Sequence, residues 1–173
     1  MKRLTIALML VISALLISAC SDENVENMLF FYSCEARSEL GISRQKVVMP
    51  ESGFELIANK REFMSSADLE RVDVAKIVLP DGKPVTGFLF ECNEKGTKKL
   101  YRETASNMGG WILLRENTTP IALRKIDTII QDGKLFMVLE FPEDTDLFQK
   151  VDAYNKDIQI IAPKVREREE SLW

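Results

Sequence analysis

The residues able to do chemistry in this 173-residue chain are few in kind. Histidine is absent, which excludes a Ser-His-Asp triad, a Cys-His dyad and any histidine metal site. Carboxylates are plentiful: Asp68, Glu70, Glu91, Glu94, Asp132, Glu140, Glu143 and Asp144. No pair of them has a spacing diagnostic of acid-base work, and carboxylates scattered in this way ordinarily sit in solvent. Thr104, Asn107 and Gly109 form a small polar motif. Its residue types suit the end of a helix and the following turn better than a reacting centre. Gly109-Gly110 is not a phosphate loop, because no Lys or Ser follows at the required spacing and the glycines close a helix instead of opening one. No cofactor or metal site is legible, and the chain reads as non-enzymatic.

The three cysteines take their meaning from the amino terminus. Lys2-Arg3 is followed by an apolar run, Leu4 to Ala19, with small residues just before Cys20. This is the pattern of a secretory signal peptide, and its apolar part is shorter than the roughly 20 residues that span a bilayer. Ile17-Ser18-Ala19-Cys20 resembles the lipobox of bacterial lipoproteins, with Ile17 where Leu often stands. The resemblance implies that Cys20 is lipidated, that residues 1–19 are removed, and that residues 20–27 are a polar tether. Ser21, in place of an Asp, implies the outer rather than the inner membrane. Several acyl chains on one Cys would hold firmly, since each buried CH₂ contributes about 0.8 kcal/mol. In an oxidising compartment Cys34 and Cys92 invite a disulfide. Both end apolar runs, and closing so long a loop contributes about 4 kcal/mol in the chain-entropy model. Two buried free thiols is the alternative. Neither lies in a CxxC, so redox catalysis is not expected.

The elements that position these residues follow from periodicity. The length suits one domain, and at 46% hydrophobic and 29% charged it has an ordinary globular composition. A net charge of −4 argues against nucleic acid as a partner. The expected domain spans residues 28–162. Met28 to Cys34 reads as a strand, and Gln45 to Met49 with Phe54 to Ala58 as a hairpin. Ser65 is placed to cap a short helix with Leu69 and Val72 inward. Asp73 to Leu79 and Val85 to Cys92 form a hairpin across Pro80 to Pro84. Asn93 caps a helix over Glu94 to Met108 with an apolar stripe of Leu100, Tyr101, Ala105 and Met108, and with Lys98, Lys99, Arg102 and Glu103 outward. Trp111 to Leu114, Ile121 to Ile126, Thr128 to Ile130 and Leu135 to Phe141 read as strands. A helix starts near Pro142-Glu143-Asp144 with Leu147, Phe148, Val151 and Tyr154 inward. Ile158 to Ile161 reads as an edge strand, and residues 163–173 as a charged tail.

Within this pattern, FLFECNEKGTKKLYRETASNMGGWILL resembles the first periplasmic head region of SecD, a membrane subunit of protein export. The matching positions are Gly96, Leu100, Thr104, Asn107, Gly109 and Ile112-Leu113-Leu114, and the resemblance runs from about Val47 to Phe141. It implies an α+β fold of ferredoxin-like type, an antiparallel sheet with two main helices packed on one face. The function that follows is a membrane-anchored periplasmic lipoprotein that binds a polypeptide or an envelope protein, with an exposed strand edge as one route. The alternatives are an envelope enzyme using carboxylates and Thr104, or a structural lipoprotein with no specific client.

Overall fold

The computed structural model describes residues 25–35, 42–78, 82–142 and 144–170. Cys20, the signal peptide, the start of the tether, Glu143 and Trp173 lie outside them, as do Leu79-Pro80-Asp81 of the hairpin turn.

The described residues form two antiparallel sheets and two main helices, an α+β fold. The larger sheet contains β1 (Leu29–Glu35), β2 (Arg44–Val48), β3 (Glu55–Asn59), the short β4 (Met64–Ser65), β7 (Trp111–Glu116) and β8 (Thr119–Lys125). Its order is β2-β3-β1-β7-β8, with β4 also paired to β1. The smaller sheet is β5 (Leu69–Val78), β6 (Pro84–Cys92) and β9 (Lys134–Met137), in the order β5-β6-β9. One isolated pair, Ala122 with Leu139, joins the two. The expected single sheet is thus divided. The helices are α1 (Glu94–Ser106) and α2 (Leu147–Glu170).

Double-sided burial explains the continuous apolar runs of β1 and β7. Leu29 and Phe31 of β1, with Ile112 and Leu114 of β7, enter the main core shared by both sheets and both helices. Tyr32 and Cys34 of β1, with Leu113 of β7, point the other way into a second cluster with Val47, Met49, Leu56 and Ala58. The β2–β3 hairpin closes over this second face. Phe54 packs on Trp111 at 5.4 Å between ring centroids, and the turn at Glu51-Ser52 donates three hydrogen bonds to the Glu140 carboxylate.

Three expected elements differ. The helix expected at Ser65 is a single 3₁₀ turn, Ser66–Asp68. Asp68 reaches back to accept from the Ser65 N–H, and Leu69 then starts a ten-residue strand. Val72 and Val74 gain more by pairing with Phe90 and Phe88 of β6 than a short helix would return. The edge strand expected at Ile158 to Ile161 is helix, and so are residues 163–170. Val151, Tyr154, Ile158 and Ile161 are buried at helical spacing, and the helix continues through Pro163. The buried face of α1 is Gly96, Leu100 and Thr104, while Tyr101 and Met108 are about half exposed. Thr128 to Ile130 forms no strand.

Candidate functional site

The residues of the helix-end motif are occupied with structure. The Thr104 hydroxyl is fully buried, donates to the Leu100 carbonyl and accepts from the Ile130 N–H. It bolts α1 to the segment before β9. Asn107 is the C-cap of α1. Gly109 has φ +85, a left-handed value that glycine adopts without strain, and its N–H bonds to the Ile126 carbonyl at 2.8 Å. Gly96 is needed for a different reason. A Cβ there would lie 2.1 Å from the Asp68 carbonyl oxygen, so only glycine lets the start of α1 close on the 3₁₀ turn.

The expected disulfide is absent: Cys34 and Cys92 are both free thiols. Cys34 lies in the second cluster, whereas Cys92 packs against the main core, 3.7 Å from the Met64 sulfur. The two run ends face different interiors, so the similarity of their sequence settings does not make them neighbours. Burial pushes each thiol pKa up to about 12.

The carboxylates are largely engaged. Asp68 is buried and takes Lys99 Nζ on both oxygens at 2.7 Å, so Lys99 is not the solvated residue its helix position suggested. Glu103 accepts from Ser33 and from Asn107. Glu91 is bridged by Arg71 at 2.9 Å and Lys134 at 3.0 Å, and these hydrogen bonds, Arg71 first, hold its carboxyl below the ordinary value. A groove of about 850 Å³ between the start of α1 and the last turns of α2 is lined by Asp68, Glu70 and Glu94. Within it Asp68 is neutralised by Lys99. Glu94 is held below its ordinary value by the Lys98 hydrogen bond, the direction of a permanent anion and not of a proton donor.

What the tertiary structure adds is a strand edge. β5 is ten residues long and borders β6 on one side only. Near its start the Asn155 side chain of α2 accepts from the Val72 N–H and donates to the Val72 carbonyl, both at 2.8 Å. The amide imitates a neighbouring strand. It also shows that the main-chain groups of Val72 point away from β6. Main-chain direction alternates along a strand, so those of Val74, Lys76 and Val78 point the same way, with no hydrogen-bond partner among the described residues. Beside this open half runs a groove of about 570 Å³, lined by Val74, Ala75, Lys76, Thr86 and the 145–148 segment that begins α2. Phe148, which lines it, is 71% exposed, and Val78, two residues beyond Lys76 on β5, is 70% exposed. Two edges of the larger sheet are less open. β8 is bridged to Leu139, and the short β2 carries Arg44 and Lys46 already paired to Glu35 and Glu55.

No family model matches the sequence, and no curated protein matches it. The fold is similar to a solved structure described as "Structure and function of a membrane component SecDF that enhances protein export". The alignment covers 77% of this chain and 62% of that one, at 13% identity and a TM-score of 0.47. The chain therefore spans less than two thirds of that protein's length. Among the described residues, no helix is long and apolar enough to cross a membrane.

The open residues Val74, Lys76 and Val78 lie in the strand expected over Asp73 to Leu79; that this strand borders the sheet is set by the strand order, which local pattern does not encode. The signal that marks the strand is the run Val72, Val74, Ile77, Val78 before a turn rich in Pro and Gly.

Proposed function

We propose that this chain is a non-catalytic lipoprotein of the cell envelope, anchored through Cys20, whose head binds an extended polypeptide by strand addition to the open half of β5. The observation that carries the reading is the row of main-chain groups at Val74, Lys76 and Val78, without a hydrogen-bond partner among the described residues, beside a groove of about 570 Å³. An exposed edge is a template for another strand, and proteins normally block it. Among the described residues a side chain blocks the edge at Val72, through Asn155. Main-chain bonding tolerates many sequences, which suits a client polypeptide or an envelope partner. The signal peptide and lipobox pattern supports the anchor and the periplasmic side of the membrane.

The test uses full-length protein in mild detergent and a reduced, carboxymethylated, unfolded polypeptide as probe. Amide exchange at Val74, Lys76 and Val78 slows when the probe is present. Lys76→Pro removes one N–H from the edge, where proline is tolerated, and abolishes the slowing, whereas Lys76→Ala retains it. Protection appearing elsewhere, or none, refutes the site. Labelling cells with a tagged fatty acid marks the wild type and leaves Cys20→Ser unmarked; an unmarked wild type refutes the anchor.

A further inference from the structure

The strand-addition reading leaves open which polypeptides the edge accepts, and the charges around it bear on that question. On the small sheet, Arg71 is paired with Asp73 and Glu91, and Lys134 with Glu91. Lys76 is exposed and has no ion pair among the described residues. It sits in the middle of the open half of β5, on the face that carries Val74 and Thr86, toward the groove. Asp146, which also lines this groove, is engaged in accepting from the Phe148 and Gln149 N–H groups.

We infer that Lys76 makes this edge selective for an extended segment with a carboxylate opposite Lys76 and an apolar side chain two positions away. The inference rests on the strand-addition reading. Side chains directly opposite in paired strands share a face, and opposite charges there attract while like charges repel. Two positions along the same face the added strand lies opposite Val74, where Leu147 and Phe148 wall the groove and an apolar side chain is buried. The same charge disfavours a second copy of this chain as occupant. When two β5 strands exchange bonds through Lys76 or through Lys76 and its outward-pointing neighbours, the two Lys76 side chains stand opposite or diagonally opposite. Asn155 at Val72 blocks sliding toward the other end. Lysine on an exposed edge is a recognised guard against self-pairing; here it also sets what the edge admits.

The test is fluorescence anisotropy with full-length protein and an eight-residue labelled peptide. The peptide alternates valine and threonine and carries glutamate at one interior valine position; two twins carry glutamine or lysine there. The wild type binds the glutamate peptide about two- to fivefold tighter than the glutamine peptide, the size of one cross-strand charge pair, and the lysine peptide most weakly. Lys76→Glu inverts the order and Lys76→Gln flattens it, while thermal melts show both variants folded. Equal affinity for all three peptides, or an order unchanged in Lys76→Glu, overturns the selectivity and leaves strand addition standing. If none of the three peptides binds, both fall together.

Discussion

Lys99→Met is the substitution that most directly tests how this head is held together. The Asp68 side chain is 4% exposed and that of Lys99 33%. Both Asp68 oxygens receive the ammonium at 2.7 Å, and the Ser65 N–H supplies a further bond at 3.0 Å. Methionine keeps the aliphatic stem and deletes the charge, leaving a buried carboxylate with the Ser65 bond and no cation. Removing one partner of a fully buried pair costs about 3–5 kcal/mol. Because a third of the Lys99 side chain is in water, part of that interaction is already screened, and the expected loss is about 2–3 kcal/mol. For a chain of this size the melting temperature falls by about 5–10 °C. Urea unfolding of full-length protein in mild detergent, followed by tryptophan fluorescence and far-UV circular dichroism, measures it. Asp68→Asn in the Lys99→Met background recovers most of the loss, because no buried charge remains; the double-mutant cycle then isolates the pair. A loss below about 0.5 kcal/mol, or no coupling between the two positions, would falsify the view that this pair is an internal tie between α1 and the 3₁₀ turn.

Three further outcomes are expected. Asn155→Ala removes both bonds to Val72 and costs about 1–2 kcal/mol; it also speeds amide exchange at Val72 and lengthens the open edge, and unchanged exchange there would contradict the clamp. The Cys34 and Cys92 thiols, raised by burial to about 12, resist Ellman's reagent in the native protein, and two thiols react once it is unfolded without reductant; none reacting would restore the disulfide. Because their folded pKa values lie above the unfolded value, the neutral thiols stabilise the fold fully below about pH 9 and progressively less as pH rises toward 12. Each group contributes up to about 1.4 kcal/mol of loss per pH unit in that window. Cys92→Ala makes the decline in urea midpoint shallower; an equal decline would contradict the assignment.

The strands with two-residue alternation or continuous apolar runs were legible from sequence, because one or two buried faces leave a direct imprint on residue type. That covers β1, β3, β6 and β7, and the cap of α1 at Asn93, whose side chain accepts from the Gly96 N–H at 2.9 Å. The α+β class was what the resemblance to the SecD head region implied, and the two antiparallel sheets and two helices agree with it. A short apolar run such as Ile158 to Ile161 suits a strand or a buried helix equally well. Only packing against β5 and the 3₁₀ turn decided for helix.

For the site, sequence by itself determined the absence of histidine chemistry, the signal-peptide pattern ending at Cys20, and the structural part played by Gly109 at the end of α1. Those depend on residue identity and short-range spacing alone. Tertiary structure decided what depends on distant segments meeting. Cys34 and Cys92 face different cores although each ends a similar run. Lys99 is drawn from the expected surface to a buried Asp68 thirty-one positions away. Asn155 shields Val72 across eighty-three positions while Val74, Lys76 and Val78 stay open. A strand becomes an edge only when the sheet order is known, and sheet order is a long-range property that local pattern does not encode.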